Sequence, residues 1–422
     1  MNIYVSGISG TGMGPLALMA KRAGFSVAGS DLSRGAIYDE LVKEGIEVFV
    51  GGQDGKFLAE KMKDGVDWFV YTSALPADHP ELKLAKESGI KCTKRDDFTA
   101  FLVESLGLKM VAVAGTHGKT TTTAMIVWAS LKLGLPVSYI VGTTLGFAPS
   151  GVHHDGNKYF IYEADEYDRN FLKYHPWLAV IPAVSYDHPD IYPTREDYTA
   201  AFSQFKGQCE KTVENNDGLI TWGDGGQNEF LPSDFRLAGE ARRVDAALAA
   251  EAVKVMMVEE GIYNNSRTKI IEILNEFPGV GRRFEKIAEG VYSDYAHHPE
   301  EIAATMDVAK DEERLGNYRG TVVVYQPHQN VRQHEVKDEY KKAFLGADKI
   351  FWLPTYLTRE NPDLVVLTPE DLISVLENKE VAESAEMNDE LAEKLKKYVN
   401  DGYLVVLMTA GPADEWLRKI MS

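Results

Sequence analysis

Lys109-Met110-Val111-Ala112-Val113-Ala114-Gly115-Thr116-His117-Gly118-Lys119-Thr120-Thr121 runs from apolar residues straight into glycines, a lysine and threonines. A short apolar run before a glycine turn reads as a buried strand of a parallel sheet. The threonine-rich stretch after it opens a helix. Glycines let the chain curl there, so that successive backbone N–H groups face an anion at the helix N-terminus. Lys119 would offset β- and γ-phosphate charge, and Thr120 would set a hydroxyl on Mg²⁺. The loop is shorter than G-x-x-x-x-G-K-[ST], because Val113 stands at the first glycine position. Gly115, Thr116, His117, Gly118, Lys119, Thr120 and Thr121 are therefore the expected ATP-phosphate site. The bland alternative is a Gly/Thr turn capping a helix, but the full strand–loop–helix context is rare by chance.

Working outward, the first hundred residues repeat the strand–helix alternation. Ile3–Val5 is a short strand, a glycine-rich turn follows, and Pro15–Ala23 reads as a helix. Strands are expected at Ser26–Gly29 and Asp67–Tyr71. On the far side they are expected at Tyr159–Tyr162, Leu178–Ile181, Thr321–Tyr325, Lys349–Leu353 and Tyr403–Met408. Such alternation implies an α/β chain of parallel sheets covered by helices. Boundaries fall near 107 and 279, which gives segments 1–107, 108–278 and 279–422. Ligands are expected in clefts between such modules.

A net charge of −19 over 422 residues repels polyanions, which argues against binding along nucleic acid. Cys92 and Cys209 are the two cysteines, far apart and without metal-ligand spacing, as suits a reducing cytosol. No basic leader precedes an apolar stretch. The apolar run Met125–Val141 is broken by Lys132, Gly134 and Pro136, so no membrane insertion is expected. The expected compartment is the cytoplasm.

Three further groups carry chemistry. Gly7-Ile8-Ser9-Gly10-Thr11-Gly12-Met13-Gly14 follows a strand, and Asp31 ends the next one, a context that suits a nucleotide pyrophosphate. Pro15 stands where G-x-G-x-x-G needs its third glycine, and tight strand–helix packing would explain the same glycines. Glu163-Ala164-Asp165-Glu166-Tyr167-Asp168 places four carboxylates within six residues, which need cations if they converge. A solvated acidic loop is the alternative. His188 follows the next strand, where it would ligate a second metal. Gly281-Arg282-Arg283-Phe284, Asp294-Tyr295-Ala296-His297-His298-Pro299 and Gln326-Pro327-His328-Gln329-Asn330-Val331-Arg332 fit a site that handles carboxylates and phosphates. His153-His154 reads as a solvated loop.

Taken in order, Gly7–Gly14, Gly29-Ser30-Asp31, Thr72-Ser73-Ala74 with His79-Pro80-Glu81, the Gly115 loop, Glu163–Asp168, Asp187-His188 and the 279–332 motifs resemble the Mur ligases of peptidoglycan synthesis. The resemblance spans nearly the whole chain. It implies a Rossmann-like N-terminal domain for the UDP-sugar, a central P-loop ATPase domain with a shortened sheet, and a Rossmann-like C-terminal domain for the amino acid. The implied reaction is ATP-dependent joining of L-alanine to UDP-N-acetylmuramate through an acyl phosphate. Implied roles fall on Lys119, Glu163, His188, Arg283 and Asp294 for catalysis. Thr120, Glu163 and His188 are implied to hold Mg²⁺, two ions in all. Gly10, Thr11, Gly12, Met13, Asp31 and Ser73 are implied for the UDP-sugar, and His298, His328 and Arg332 for the amino-acid side.

The chain departs from the family pattern at Gly239-Glu240-Ala241-Arg242-Arg243-Val244-Asp245, where Ala241, Arg242 and Asp245 replace a His and two Asn. Arg242 would then stack on adenine in their place. The stretch between His188 and Gly239 is short for the family. Gln329 stands where an arginine usually follows Gln-Pro-His, and Gly411-Pro412-Ala413-Asp414 only approximates a glycine-rich turn. Two other readings stay open: a recycling ligase that adds a preformed peptide to UDP-N-acetylmuramate, and a UDP-sugar-binding paralogue without ligase activity.

Overall fold

The computed structural model describes residues 1–422 apart from Ala36, Ser73, Ala74, Pro189, Arg359 and Ser422. The chain forms two compact units, Met1–Phe235 with Val244–Phe277, and Arg236–Arg243 with Pro278–Ser422.

The first unit holds two sheets. One contains β1 (Asn2–Ser6), β2 (Ser26–Asp31), β3 (Glu47–Val50), β4 (Trp68–Tyr71) and β5 (Lys91–Lys94) in the order β3-β2-β1-β4-β5. All its pairings are parallel. The strand order reverses between β1 and β4, so the glycine-rich turn after β1 opens at a crevice of the kind that holds ligands in doubly wound sheets. The second sheet contains β6 (Lys109–Val113), β7 (Val137–Ile140), β8 (Gly151–Val152), β9 (Tyr159–Glu163), β10 (Leu178–Ile181), β11 (Lys211–Asn216) and β12 (Leu219–Trp222), in the order β12-β11-β10-β6-β9-β7-β8. Antiparallel hairpin partners β12 and β8 close its two edges.

β6 sits between β9 and β10. Its Val111, Ala112 and Val113 are wholly buried, each valine contributing ~1.5–3 kcal/mol by leaving water. That position brings the ends of β6, β9 and β10 together, and with them the Gly115 loop, Glu163 and the segment carrying His188. After β12 the chain reaches the helix Glu240–Glu259 through a single described 3₁₀ turn, Pro232–Asp234. One hydrophobic core runs beneath both sheets, from Trp68 and Phe98 to Phe171 and Phe202.

The second unit carries β13 (Glu285–Ala288), β14 (Val291–Asp294), β15 (Thr321–Gln326), β16 (Lys349–Trp352), β17 (Ala382–Ser384) and β18 (Leu404–Thr409), in the order β13-β14-β18-β15-β16-β17. Only β13 runs antiparallel to its neighbour. Separate apolar clusters pack its two faces, one around Tyr325 and Trp352, the other around Phe351 and Leu395. Among the described residues no helix is long and apolar enough to cross a membrane.

Candidate active site

Gly115 and Gly118 are in the loop for reasons of space as well as backbone angle. Gly118, at φ +81°, caps the helix Lys119–Leu133, and a Cβ there would lie 2.8 Å from Pro182 Cβ and 2.7 Å from Asp245 Oδ1. At Gly115 a Cβ would meet the Ala183 carbonyl at 2.6 Å. Thr116 fastens the loop to the chain after β10: its N–H reaches Ala183 O at 2.8 Å and its hydroxyl reaches Ser185 O at 2.6 Å. Tyr198 Oη lies 2.6 Å from the same hydroxyl. Asp245, buried in the helix Glu240–Glu259, accepts from Thr122 Oγ1 at 2.9 Å. Asp245 thus braces the phosphate-loop helix from behind.

The acidic run separates into distinct pairings. Lys119 Nζ donates to Glu166 Oε2 at 2.8 Å and to Gly115 O at 2.5 Å. Thr120 Oγ1 donates to Glu163 Oε1 at 2.8 Å. Lys94 holds Asp168, and Asp165 accepts from the Tyr167 N–H. Burial pulls the Lys119 ammonium down, but the charges of Glu166, Asp165 and Glu163 outweigh it and hold it above the ordinary lysine value. Burial pushes Glu166 up, and Lys119 and His188 overcome this to hold it below the usual carboxylate range. Asp165 is raised, first by burial and then by the Glu166 charge. His188 sits at φ +57° with Nε2 3.6 Å from Glu166 Oε1. Burial lowers it, but Glu166, Asp187 and Asp165 together raise it.

Mg²⁺ fits this donor set on one observation. Glu163 Oε2 is buried and has no hydrogen-bond partner among the described residues, and the Thr120 hydroxyl lies against the same carboxylate. An orphaned carboxylate oxygen beside a threonine hydroxyl and further acids is what a hard cation needs. The contacts of His188 run to Glu166 and Asp187.

The N-terminal turn lines a cavity of about 460 Å³ that includes Gly10, Thr11, Gly12, Met13 and Asp31. Ser73 lies outside the described residues. A second cavity of about 230 Å³ is walled by Lys119, Glu163 and Asp165 on one side and by Thr11, Gly12 and Arg95 on the other. Thr11, Gly12 and Arg95 belong to both, so the two cavities meet at the N-terminal turn. Gln53, Lys94 and Arg95 line this region without having been singled out from the sequence, beside Thr72 of the Thr72-Ser73-Ala74 motif.

In the second unit, Asp294 is buried and accepts from the Phe284 N–H at 2.7 Å and the Ala296 N–H at 2.8 Å. Burial raises its pKa, and the Arg283 charge opposes this. It thereby fixes the bend carrying Arg283, whose guanidinium lies 5.4 Å from the Tyr295 ring. His298 caps the helix Pro299–Gly316, with Nε2 4.0 Å from Glu339. His328 Nε2 lies 3.1 Å from Thr358 Oγ1, its ring stacked on Tyr356 and edge-on to His297. Arg332 lies in the adjoining helix Asn330–Val336, and its charge reaches His297. Gln329 takes φ +64°. His297, quoted in the 294–299 motif without a role of its own, joins this cluster.

One expectation fails. His153 is 6 % exposed, with Nδ1 2.8 Å from Ser138 Oγ, and burial lowers its pKa. β8 packs it inward, and only His154 faces solvent.

Comparison with known proteins bears on all three sheets. Models described as "Mur ligase family, catalytic domain", "Mur ligase middle domain" and "Mur ligase, glutamate ligase domain" match residues 2–105, 113–224 and 282–411. The UDP-N-acetylmuramate–L-alanine ligase of Acetivibrio thermocellus is 32% identical over 97% of this chain and 93% of its own length. That of Carboxydothermus hydrogenoformans is 31% identical over 99% and 96%. The UDP-N-acetylmuramate-alanine ligase of Thermotoga maritima shares the fold at a TM-score of 0.72 and 21% identity, covering 100% of this chain and 98% of that one.

Proposed function

The chain belongs to the Mur ligase family, and from that premise we propose that it joins L-alanine to UDP-N-acetylmuramate at the expense of ATP, in cytoplasmic peptidoglycan precursor synthesis. The observation that carries this reading is the meeting of two cavities across Thr11, Gly12 and Arg95, one at the N-terminal turn and the other at Lys119 and Glu163. A carboxylate held in the first would face a γ-phosphate held in the second.

In this reading residues 1–107 hold the UDP-sugar, 108–278 hold ATP and 279–422 supply the amino-acid side. Gly10, Thr11, Gly12, Met13 and Asp31 hold the sugar nucleotide, with Ser73 as a further contact. Gly115 to Thr121 cradle the triphosphate with backbone N–H groups at a helix N-terminus. A carboxylate oxygen of the substrate attacks the γ-phosphorus, and ADP leaves. The L-alanine nitrogen then attacks the carbonyl carbon, loses a proton, and inorganic phosphate departs as the amide forms. Two anions must approach for the first step, so cationic screening is the main electrostatic requirement. Lys119 supplies a fixed positive charge there. Thr120, Glu163 and His188 would hold two Mg²⁺ ions, which screen phosphate charge when bound. Arg283, set by Asp294, is assigned to the nucleotide. His298, His328 and Arg332 are assigned to the amino acid, and Arg242 to the adenine face.

Phosphate release by purified protein supplied with UDP-N-acetylmuramate, ATP, Mg²⁺ and single amino acids tests the assignment. Release that requires L-alanine is expected. Release that ignores L-alanine and responds to a preformed tripeptide would move the chain to the recycling reaction, and no release with any acceptor would end the ligase reading.

A further inference from the structure

Beneath the N-terminal turn lies a buried polar cluster that the reaction above does not use. Glu81, on the helix Pro80–Glu87, is 1 % exposed, and Ser6 and Ser30 are fully buried at the ends of β1 and β2. Tyr4 Oη donates to Glu81 Oε1 at 2.7 Å, and Ser6 Oγ donates to Oε2 at 2.7 Å. Ser30 Oγ lies 2.8 Å from both carboxylate oxygens. Burial, with the Glu81 charge second, pushes the Tyr4 phenol above its ordinary value.

Proton counting in this cluster fixes the orientation of a neighbouring amide. A serine hydroxyl has one proton and two lone pairs. Glu81 takes the proton of both serines, so each presents only lone pairs elsewhere. The Gln53 amide nitrogen lies 3.1 Å from Ser6 Oγ, 2.8 Å from Ser30 Oγ and 3.3 Å from Glu81 Oε2. All three neighbours are acceptors, so the amide end that meets them must be the NH₂. The carbonyl, Oε1, is the other end. Gln53 lines the 460 Å³ cavity together with Gly7 and Thr72, and no described residue donates to its Oε1.

We propose that Gln53 Oε1 is a recognition acceptor for the nucleoside half of the sugar nucleotide, and that Glu81 is the positioning residue that keeps the carbonyl facing outward. The proposal rests on the reading of this cavity as the sugar-nucleotide site. A carbonyl acceptor there favours a ligand that presents an N–H or O–H: N3–H of uracil, or a ribose hydroxyl. Cytosine presents a lone pair at N3 and would face the carbonyl lone pairs unfavourably. Gln53 follows β3, beyond Asp31 at the end of β2, which is the side of such a sheet where the ribose and base extend from the phosphate turn.

Calorimetric titration of the full chain with UDP, CDP and 2′-deoxy-UDP tests this. For a uracil contact, UDP binds about tenfold tighter than CDP, the size of one net hydrogen bond with its unpaired partner. Gln53→Met then weakens UDP about tenfold and closes the gap to CDP. KM for UDP-N-acetylmuramate rises in the same variant while KM for ATP stays within twofold. For a ribose contact the discrimination is between UDP and 2′-deoxy-UDP, and Gln53→Met erases that instead. Glu81→Gln separates positioning from mere packing. An amide at 81 donates to the serine oxygens, the serine protons turn to Gln53, and its NH₂ swings outward, so for a uracil contact the preference shifts toward CDP. Should Glu81→Gln not fold, the Gln53→Met titrations decide alone. Binding of all three nucleotides by Gln53→Met as by the unaltered chain overturns the inference. Failure of the unaltered chain to bind UDP or UDP-N-acetylmuramate at all sinks instead the assignment of the cavity.

Discussion

Gly7 leaves β1 at φ +80° and Gly118 enters its helix at φ +81°, yet the two turns they belong to have different surroundings. Both follow a central strand of a parallel sheet and both lead into a helix. After Gly7, the backbone is tied inward: the N–H groups of Gly7 and Ile8 donate to Ser30 O, and the N–H of Ser9 donates to Asp31 Oδ2. Beneath it lies a cluster of hydroxyls and an amide around one buried carboxylate. After Gly118 the next residue is Lys119, surrounded by Glu163, Asp165 and Glu166. The same backbone plan therefore rests on hydroxyls and an amide in one place and on a lysine among acids in the other. The residues behind the turn, not the glycines, make the difference.

Lys119→Ala should break the distinction most severely. It is expected to lower kcat by 10²–10³-fold, about 3–4 kcal/mol of transition-state stabilisation by analogy with a lost oxyanion donor. Near-normal phosphate release by that variant would remove the second turn from the chemistry. Glu163→Gln takes away the orphaned carboxylate oxygen. The Mg²⁺ concentration for half-maximal rate should rise about 10–100-fold, and an unchanged metal titration would free Glu163 of the metal role.

Gly7→Ala and Gly118→Ala make a matched pair, each forcing a Cβ into a left-handed position at a cost of about 1–3 kcal/mol. The first should raise KM for the sugar nucleotide, the second KM for ATP. Identical kinetic signatures from the two would erase the contrast. Smallest is Thr194→Ala. Thr194 caps the helix Arg195–Gly207, whose Tyr198 touches Thr116, and its loss should lower stability by about 1 kcal/mol in a thermal melt. Loss of activity without any change in melting would contradict a purely supporting role.

What could be read in advance follows from burial. Strands such as Leu178–Ile181 and Thr321–Gln326 are covered on both faces, so their sequences are continuous apolar runs, which period and composition reveal. Lys211–Asn216 pairs at the sheet margin and carries lysine, glutamate and asparagines, so nothing in its composition announces a strand. His153 misled because its neighbours are polar, whereas its burial depends on Ser138, fifteen residues earlier. In the site, the Gly115 turn was legible as a turn because strand, loop and helix are contiguous. The pairing of Lys119 with Glu166 joins residues 47 apart, and that of Gln53 with Glu81 joins residues 28 apart. Only the folded sheet brings either pair together.

The grip of Glu166 on Lys119 has a consequence for what this turn will accept. The Lys119 ammonium at the turn is already paired from within by Glu166, with Glu163 and Asp165 close by. A bare anion gains little by arriving there. A triphosphate that brings its own divalent ions meets the acids with compensating charge and competes with Glu166 for the lysine. In the proposed reading the turn would favour metal–nucleotide complexes, and free phosphate or sulfate should be weak inhibitors even at concentrations far above that of the nucleotide.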